Sequence, residues 1–271
     1  MLDTRSYFRP LTVDFEALLR SLSPGDWDRP TAARAWQVRD VVAHLTDTAF
    51  RRVSFHRDGH VPSPPPEGDS FVAFINRLNA EWVLAMRRAS PQVLVDLFTL
   101  AATQLADWIE QVPLEAPPLF PVSWAGDDRN QGWLDIGREF TEQWHHQMQV
   151  REAVGKPSPG PPEWLHAVLA VLLQGLPHAY RDVSAAEGTT VHLSISGNAG
   201  SEWNLRRGSS RWQIEAGAAA DAVLTVSLSD DSAWRLLFNA PPANAVERRL
   251  ITWIGRDDLI LPLLKARSVI V

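Results

Sequence analysis

Apolar residues recur at helical spacing through the first half of the chain. TVDFEALLRSL places Phe15, Leu18 and Leu19 on one face, with Thr12 read as its N-cap. WQVRDVVAHLTDTAFRRVSFHR follows, with Val38, Val41, Val42 and Leu45 on a shared face, and Gly59 and the run PSPPPEGD end it. A third helix fits DSFVAFINRLNAEWVLAMRRA, capped by Asp69 or Ser70, with Phe71, Phe74, Ile75, Leu78 and Trp82 apolar. The fourth, SPQVLVDLFTLAATQLADWIEQV, has Ser90 as cap and Pro91 at its first position. After a Pro- and Gly-rich connection, GWLDIGREFTEQWHHQMQVREAVG gives a long fifth helix closed by Gly155.

The pattern then changes. Residues 156–163, KPSPGPPE, form the clearest break. The helix EWLHAVLAVLLQGLPHAY follows, and then VHLSIS alternates apolar and polar residues as a half-buried strand does. SEWNLRRGSSRWQIEAG reads as a hairpin turning at Gly208 and Ser209, and AVLTVSLS as another strand. DDSAWRLLFN and DDLILPLLKA read as short helices capped by Asp230 and Asp257. The expected architecture is therefore α+β with two domains. An up-down helical bundle occupies residues 1–158, and a small α+β domain with an antiparallel sheet occupies residues 159–271.

Composition narrows the functional classes. With a net charge of −6 the chain lacks the basic surface a general nucleic-acid binder needs. The absence of cysteine removes disulfides, thiolate-metal sites and a cysteine nucleophile. Any metal must use His, Asp, Glu or water, and any thiol chemistry needs an external thiol. No stretch approaches the roughly 20 uninterrupted apolar residues of a membrane span, and the first residues have no signal-peptide core. A cytoplasmic protein, not bound to membranes, is expected, with a monomer as the default and a homodimer as the alternative.

The strongest chemical signal lies on the fifth helix. Glu142 and His146 are four residues apart, so they share a face one turn apart, and carboxylate oxygen and imidazole nitrogen together suit zinc, nickel, manganese or iron(II). His145 faces Glu142 at the i+3 spacing, and spacing alone does not choose between the two histidines. His44 is the natural third ligand, because it sits among Val41, Val42 and Leu45 and a buried ring there needs a partner. The competing reading is ordinary: such Glu/His pairs are common, and a single histidine on an apolar face is usually a hydrogen-bonded core residue.

The run from Trp36 through Val38, Arg39, Asp40, Val41, Val42 and Ala43 to His44, followed by Glu142, His146 and Gly155, resembles the mycothiol-dependent maleylpyruvate isomerase family of the DinB-like metalloenzyme superfamily. The resemblance spans about residues 10–160. It implies a helical bundle binding a divalent metal, usually zinc, through His44, Glu142 and His146, and so selects His146 over His145. It further implies a low-molecular-weight thiol, mycothiol, as cofactor or co-substrate, and an electrophilic small molecule as substrate. Relatives often carry Asp three residues after the second histidine, where this chain has Gln149. The stretches ADAVLTVSLSDDSAWRLLFNAP and GRDDLILPLLKA resemble the second domain of those isomerases and sterol-carrier-type domains.

Around this core, Trp36, Arg138, Trp144 and Arg206 are expected to bind substrate, with Arg207 beside Arg206 and Trp133 near the site. Arg51 and Arg52 are expected to face solvent or the helix C-terminus, or to meet an anionic substrate. His56 and His60 are assigned to a solvated loop, not a metal pair. Three functions compete: a metal- and thiol-dependent isomerase or S-transferase, a non-catalytic binding or regulatory module, and a metal-dependent hydrolase.

Overall fold

The computed structural model describes residues 1–33, 35–60, 70–118, 122–126, 131–240 and 250–268. The proline-rich run 62–69, with the Asp69 cap, lies outside them. Helices α1 (Phe8–Arg20), α2 (Val38–Arg52), α3 (Phe71–Met86), α4 (Pro91–Ile109) and α5 (Gly132–Val154) build the N-terminal bundle. Ser90 caps α4 and Ser70 caps α3, each accepting a backbone N–H with its hydroxyl oxygen. Gly155, in the left-handed region at φ 67°, ends α5. Thr12 is not the cap of α1. The apolar stripe extends upstream through Phe8 and Leu11, Pro10 is tolerated in the first turn, and the Thr12 hydroxyl donates back to the Phe8 carbonyl at 2.9 Å.

Partner residues fix the helix directions. Arg52 meets Asp135 and Glu139 while His44 meets Glu142, so α2 and α5 run antiparallel. Asp40 grips Arg87 with both carboxylate oxygens at 3.0 Å while Arg51 reaches Asn79, so α3 is antiparallel to α2 as well. Asp40 also accepts the Gln37 N–H, so one buried carboxylate caps α2 and clamps α3.

Beyond α5 come α6 (Pro162–Leu172) and the single turn α7 (Leu176–Ala179), then strands β1 (Thr190–Ser196), β2 (Ser201–Arg207), β3 (Trp212–Ala216) and β4 (Leu224–Ser229). Helix α8 (Asp230–Leu237), strand β5 (Thr252–Gly255) and helix α9 (Ile260–Lys265) follow. The strand order is β3-β2-β1-β4-β5. The predicted hairpin is β2–β3, and three pairings are antiparallel, but β1 and β4 run parallel, so the sheet is mixed. Period-2 alternation fixes which face a residue occupies, not the direction of the neighbouring strand. The caps Asp230 and Asp257 are also corrected. Ser229 caps α8, leaving Asp230 to accept the Ala199 N–H, and Asp257 accepts the Trp253 indole N–H.

One sheet face, carrying Val191, Leu193, Ile195, Leu205, Val226 and Leu228, is buried under α6–α9. The same core continues without a break into the bundle. Gly137 of α5 lets α6 approach so closely that an added Cβ would lie 2.7 Å from a Val171 methyl. Trp144 of α5 meets Trp234 of α8 edge-on at 5.4 Å. Helix α5 thus serves as the shared wall of both parts, with its metal-ligand candidates on the bundle side.

Candidate metal centre

Three side chains from two helices converge. His146 Nε2 lies 3.0 Å from Glu142 Oε1, and His44 Nε2 lies 3.6 Å from the same oxygen. One donor atom from each residue falls within 4.8 Å of the others, and no other such trio exists among the described residues. His44 is buried and Glu142 is about one-third exposed, so the cluster is closed on the α2 side and open at the carboxylate.

The donors suit a cation. His44 is 4% exposed, its Nδ1 has no hydrogen bond, and its Nε2 contact is too long for a good one. A buried imidazole left this way is costly, and a cation taking its lone pair would offset part of that cost. Burial pushes His44 down to about 4, against the pull of Glu142, so the ring is neutral at neutral pH and one of its nitrogens carries a lone pair. Burial also works against charge on Glu142 and His146, but their mutual attraction wins: Glu142 stays well below the usual carboxylate range and His146 stays above the usual imidazole value.

The surroundings orient the three donors. His146 Nδ1 lies 2.8 Å from Gln149 Oε1, which leaves Nε2 facing the cluster. Trp36, in the turn before α2, covers the imidazoles, with ring centroids 4.7 Å from His44 and 6.2 Å from His146. Thr31 holds that turn through two contacts to the Trp36 carbonyl. The geometry separates the histidines that spacing left equivalent. His145 points away from His44 and stacks on Phe238, centroid to centroid 4.1 Å at 18°.

The other expected site residues divide. Arg138 lies one turn from Glu142 and donates to Asp135 at 2.8 Å. Arg51 is half-buried, paired with Asp47 at 3.1 Å and bonded to Asn79, and burial raises the Asp47 carboxyl to about 6. Arg52 does not face solvent. It is 4% exposed and bridges Asp135 and Glu139. His56 is likewise not in a solvated loop: a π turn (Val53–Arg57) prolongs α2 and stacks its ring on Trp108 at 6.1 Å, while His60 is exposed. Trp144 is fully buried core, and Trp133 packs at the core margin. Arg206 sits on β2 between Glu215 and Asp221 of its own domain, and Arg207 beside it pairs in the β2–β3 ladder, neither contacting the cluster.

The family model described as the mycothiol maleylpyruvate isomerase N-terminal domain matches residues 8–151, more than half of the chain. The chain belongs to this family. Two solved structures, of the mycothiol-dependent maleylpyruvate isomerase and of a mutant of it, align with TM-score 0.53 and 14% identity over 92% of this chain and 90% of theirs. At that identity the likeness establishes a shared two-domain α+β fold. No curated protein matches the chain. Within the maleylpyruvate isomerase family fold, the matched segment contains all three clustered residues, and no described helix is long and apolar enough to cross a membrane.

Two buried histidines make a pH prediction. Burial holds His145 at about 3 and His44 at about 4, against 6.5 for a free imidazole. Below pH 6.5 the unfolded chain takes up protons that the folded chain refuses, so stability present above 6.5 is lost as pH falls toward 4. In metal-free protein, His145→Phe should flatten this loss by up to about 1.4 kcal/mol per pH unit. Urea unfolding at a series of pH values reads it, and parallel curves for the variant and the parent would contradict it.

Proposed function

We propose that the protein is a metal-dependent enzyme that uses an external low-molecular-weight thiol of the mycothiol class on an electrophilic alkene, as a maleylpyruvate-type cis–trans isomerase. The observation that carries this reading is the convergence of His44 from α2 on the Glu142–His146 pair of α5, within a chain of the isomerase family. His44, Glu142 and His146 would hold the ion, for which two imidazoles and a carboxylate with open positions match catalytic zinc. When bound, the ion supplies Lewis acidity that favours the thiolate over the thiol. The chain contains no cysteine, so the sulfur must arrive with a small molecule.

The residues divide the remaining work. Gln149 fixes the His146 ring, and Trp36 screens the imidazoles from water on one side. The exposed flank of Glu142 marks where reactants enter. Arg138, one turn along the same face, offers a positive charge to a substrate carboxylate. The thiolate adds to one alkene carbon, the double-bond electron pair moves onto the conjugated carbonyl as an enolate, the resulting single bond rotates, and collapse of the enolate breaks the carbon–sulfur bond to return the thiolate and the trans alkene. If the enolate carbon instead takes a proton from solvent, the same site performs S-transfer.

A carrier role is less well supported. The apolar space between sheet and helices, lined by Leu193, Ile195, Leu228 and Leu237 among others, amounts to about 10 Å³, room for one water. The assay is direct: zinc-loaded protein with mycothiol and maleylpyruvate should form the trans isomer, and omitting the thiol should stop it. Turnover without thiol would point to hydrolysis, and loss of the free thiol into a stable adduct to S-transfer.

A further inference from the structure

We propose that Gln149 and His145 form a positioning relay by which Phe238 of the C-terminal domain sets the ring state of His146. The proposal rests on the reading of His146 as a metal ligand and adds residues that donate nothing to the ion. Gln149 lies between the two histidines, with Oε1 2.8 Å from His146 Nδ1 and Nε2 3.4 Å from His145 Nε2. His145 in turn lies flat on Phe238, a buried residue at the end of α8, with Trp234 at 6.1 Å. The contact path therefore runs from α8 across α5 to the metal cluster.

The chemistry of a primary amide makes this path directional. An amide NH₂ only donates, so His145 Nε2 must accept and its proton sits on Nδ1. That leaves the amide oxygen for His146, whose Nδ1 must then donate, so the proton that Nε2 shares with Glu142 is the one a cation would displace. A flipped amide reverses every role. Its NH₂ would face His146 Nδ1, the ring proton would move to Nε2, and the lone pair needed for a cation would be gone. An aspartate or glutamate at this position accepts in any orientation and needs no second histidine. A glutamine does, and this chain supplies His145, pinned by Phe238.

Two readouts separate the relay from the metal reading. In metal-free protein, nitrogen-15 NMR of the imidazoles should show the hydrogen-bonded Nδ1–H of His146 in the parent. Its hydrogen-bonded shift should be lost in Gln149→Leu and weaken in His145→Phe and Phe238→Ala. Zinc affinity, by chelator competition, should fall about 10–100-fold in Gln149→Leu and less in His145→Phe. Gln149→Glu should bind at least as tightly as the parent and should be indifferent to added His145→Phe, a rescue that a merely structural role for His145 would not give. A hydrogen-bonded Nδ1–H shift that survives Gln149→Leu overturns the relay, as does equal sensitivity to His145→Phe in the glutamate background. A parent that binds no zinc overturns the proposed function instead, and the NMR result still decides the relay.

Discussion

Replacing His146 with alanine is expected to leave a folded protein that no longer retains a divalent ion and turns over thiol and alkene about a thousandfold more slowly. The imidazole is the one donor that touches the other ligands and the orienting amide, 3.0 Å from Glu142 and 2.8 Å from Gln149. Losing it removes several kcal/mol of Lewis-acid assistance, and each tenfold in rate corresponds to about 1.4 kcal/mol. His44→Ala should behave alike, because the remaining pair on α5 supplies only two donors. Glu142→Gln keeps an oxygen donor without its charge and should weaken retention less. His145→Ala is the internal control: it neighbours His146 in sequence but faces Phe238, and it should keep the ion at reduced affinity. Elemental analysis of untagged protein and a thiol-dependent rate read both effects. A His146→Ala protein with a full equivalent of metal would show that the ion sits elsewhere.

Arg52→Met carries the largest expected effect on stability, a loss of about 3–5 kcal/mol. The guanidinium is 4% exposed and lies 3.1 Å from Asp135 and 3.3 Å from Glu139, both buried. Arg138 also reaches Asp135, and together the two cations hold the Asp135 carboxyl below its ordinary value despite the burial that would raise it. Removing Arg52 leaves buried carboxylate charge without its main partner, which costs more than the ion pair contributes. The urea midpoint should fall accordingly. Adding Glu139→Gln should recover part of the loss, since Asp135 keeps Arg138 as its partner and the second buried carboxylate charge is gone. A single variant as stable as the parent would mean that water reaches these groups. This network zips α2 to α5 two turns below the metal cluster, so its rigidity bears on how His44 meets Glu142.

Much of this was legible in the sequence because the signals were periodic. Val38, Val41, Val42 and Leu45 fix the buried face of α2, which carries His44 inward, and the i,i+4 spacing aligns Glu142 with His146 on α5. Ser90 with Pro91, and Gly155, mark helix ends through local backbone chemistry that needs no tertiary context. What spacing could not do was choose between His145 and His146, because both lie near the Glu142 face and only the packing of α8 draws one of them away. Trp144 and Arg206 carry a similar ambiguity. An indole signals burial without saying whether against core or substrate, and an arginine on a strand signals charge without its partner. Strand β5 was missed because its four residues are all exposed and show no alternation. The burial of Arg52 was hidden because its partners lie more than 80 positions away on α5.

X-ray absorption at the edge of the bound metal tests the central claim most directly. The account predicts about one ion per chain with two imidazole nitrogens at roughly 2.0–2.1 Å, carboxylate and solvent oxygens completing the shell, and a sulfur at about 2.3 Å on adding the thiol. A shell with fewer than two imidazoles, or one unchanged in the His44→Ala variant, would contradict it.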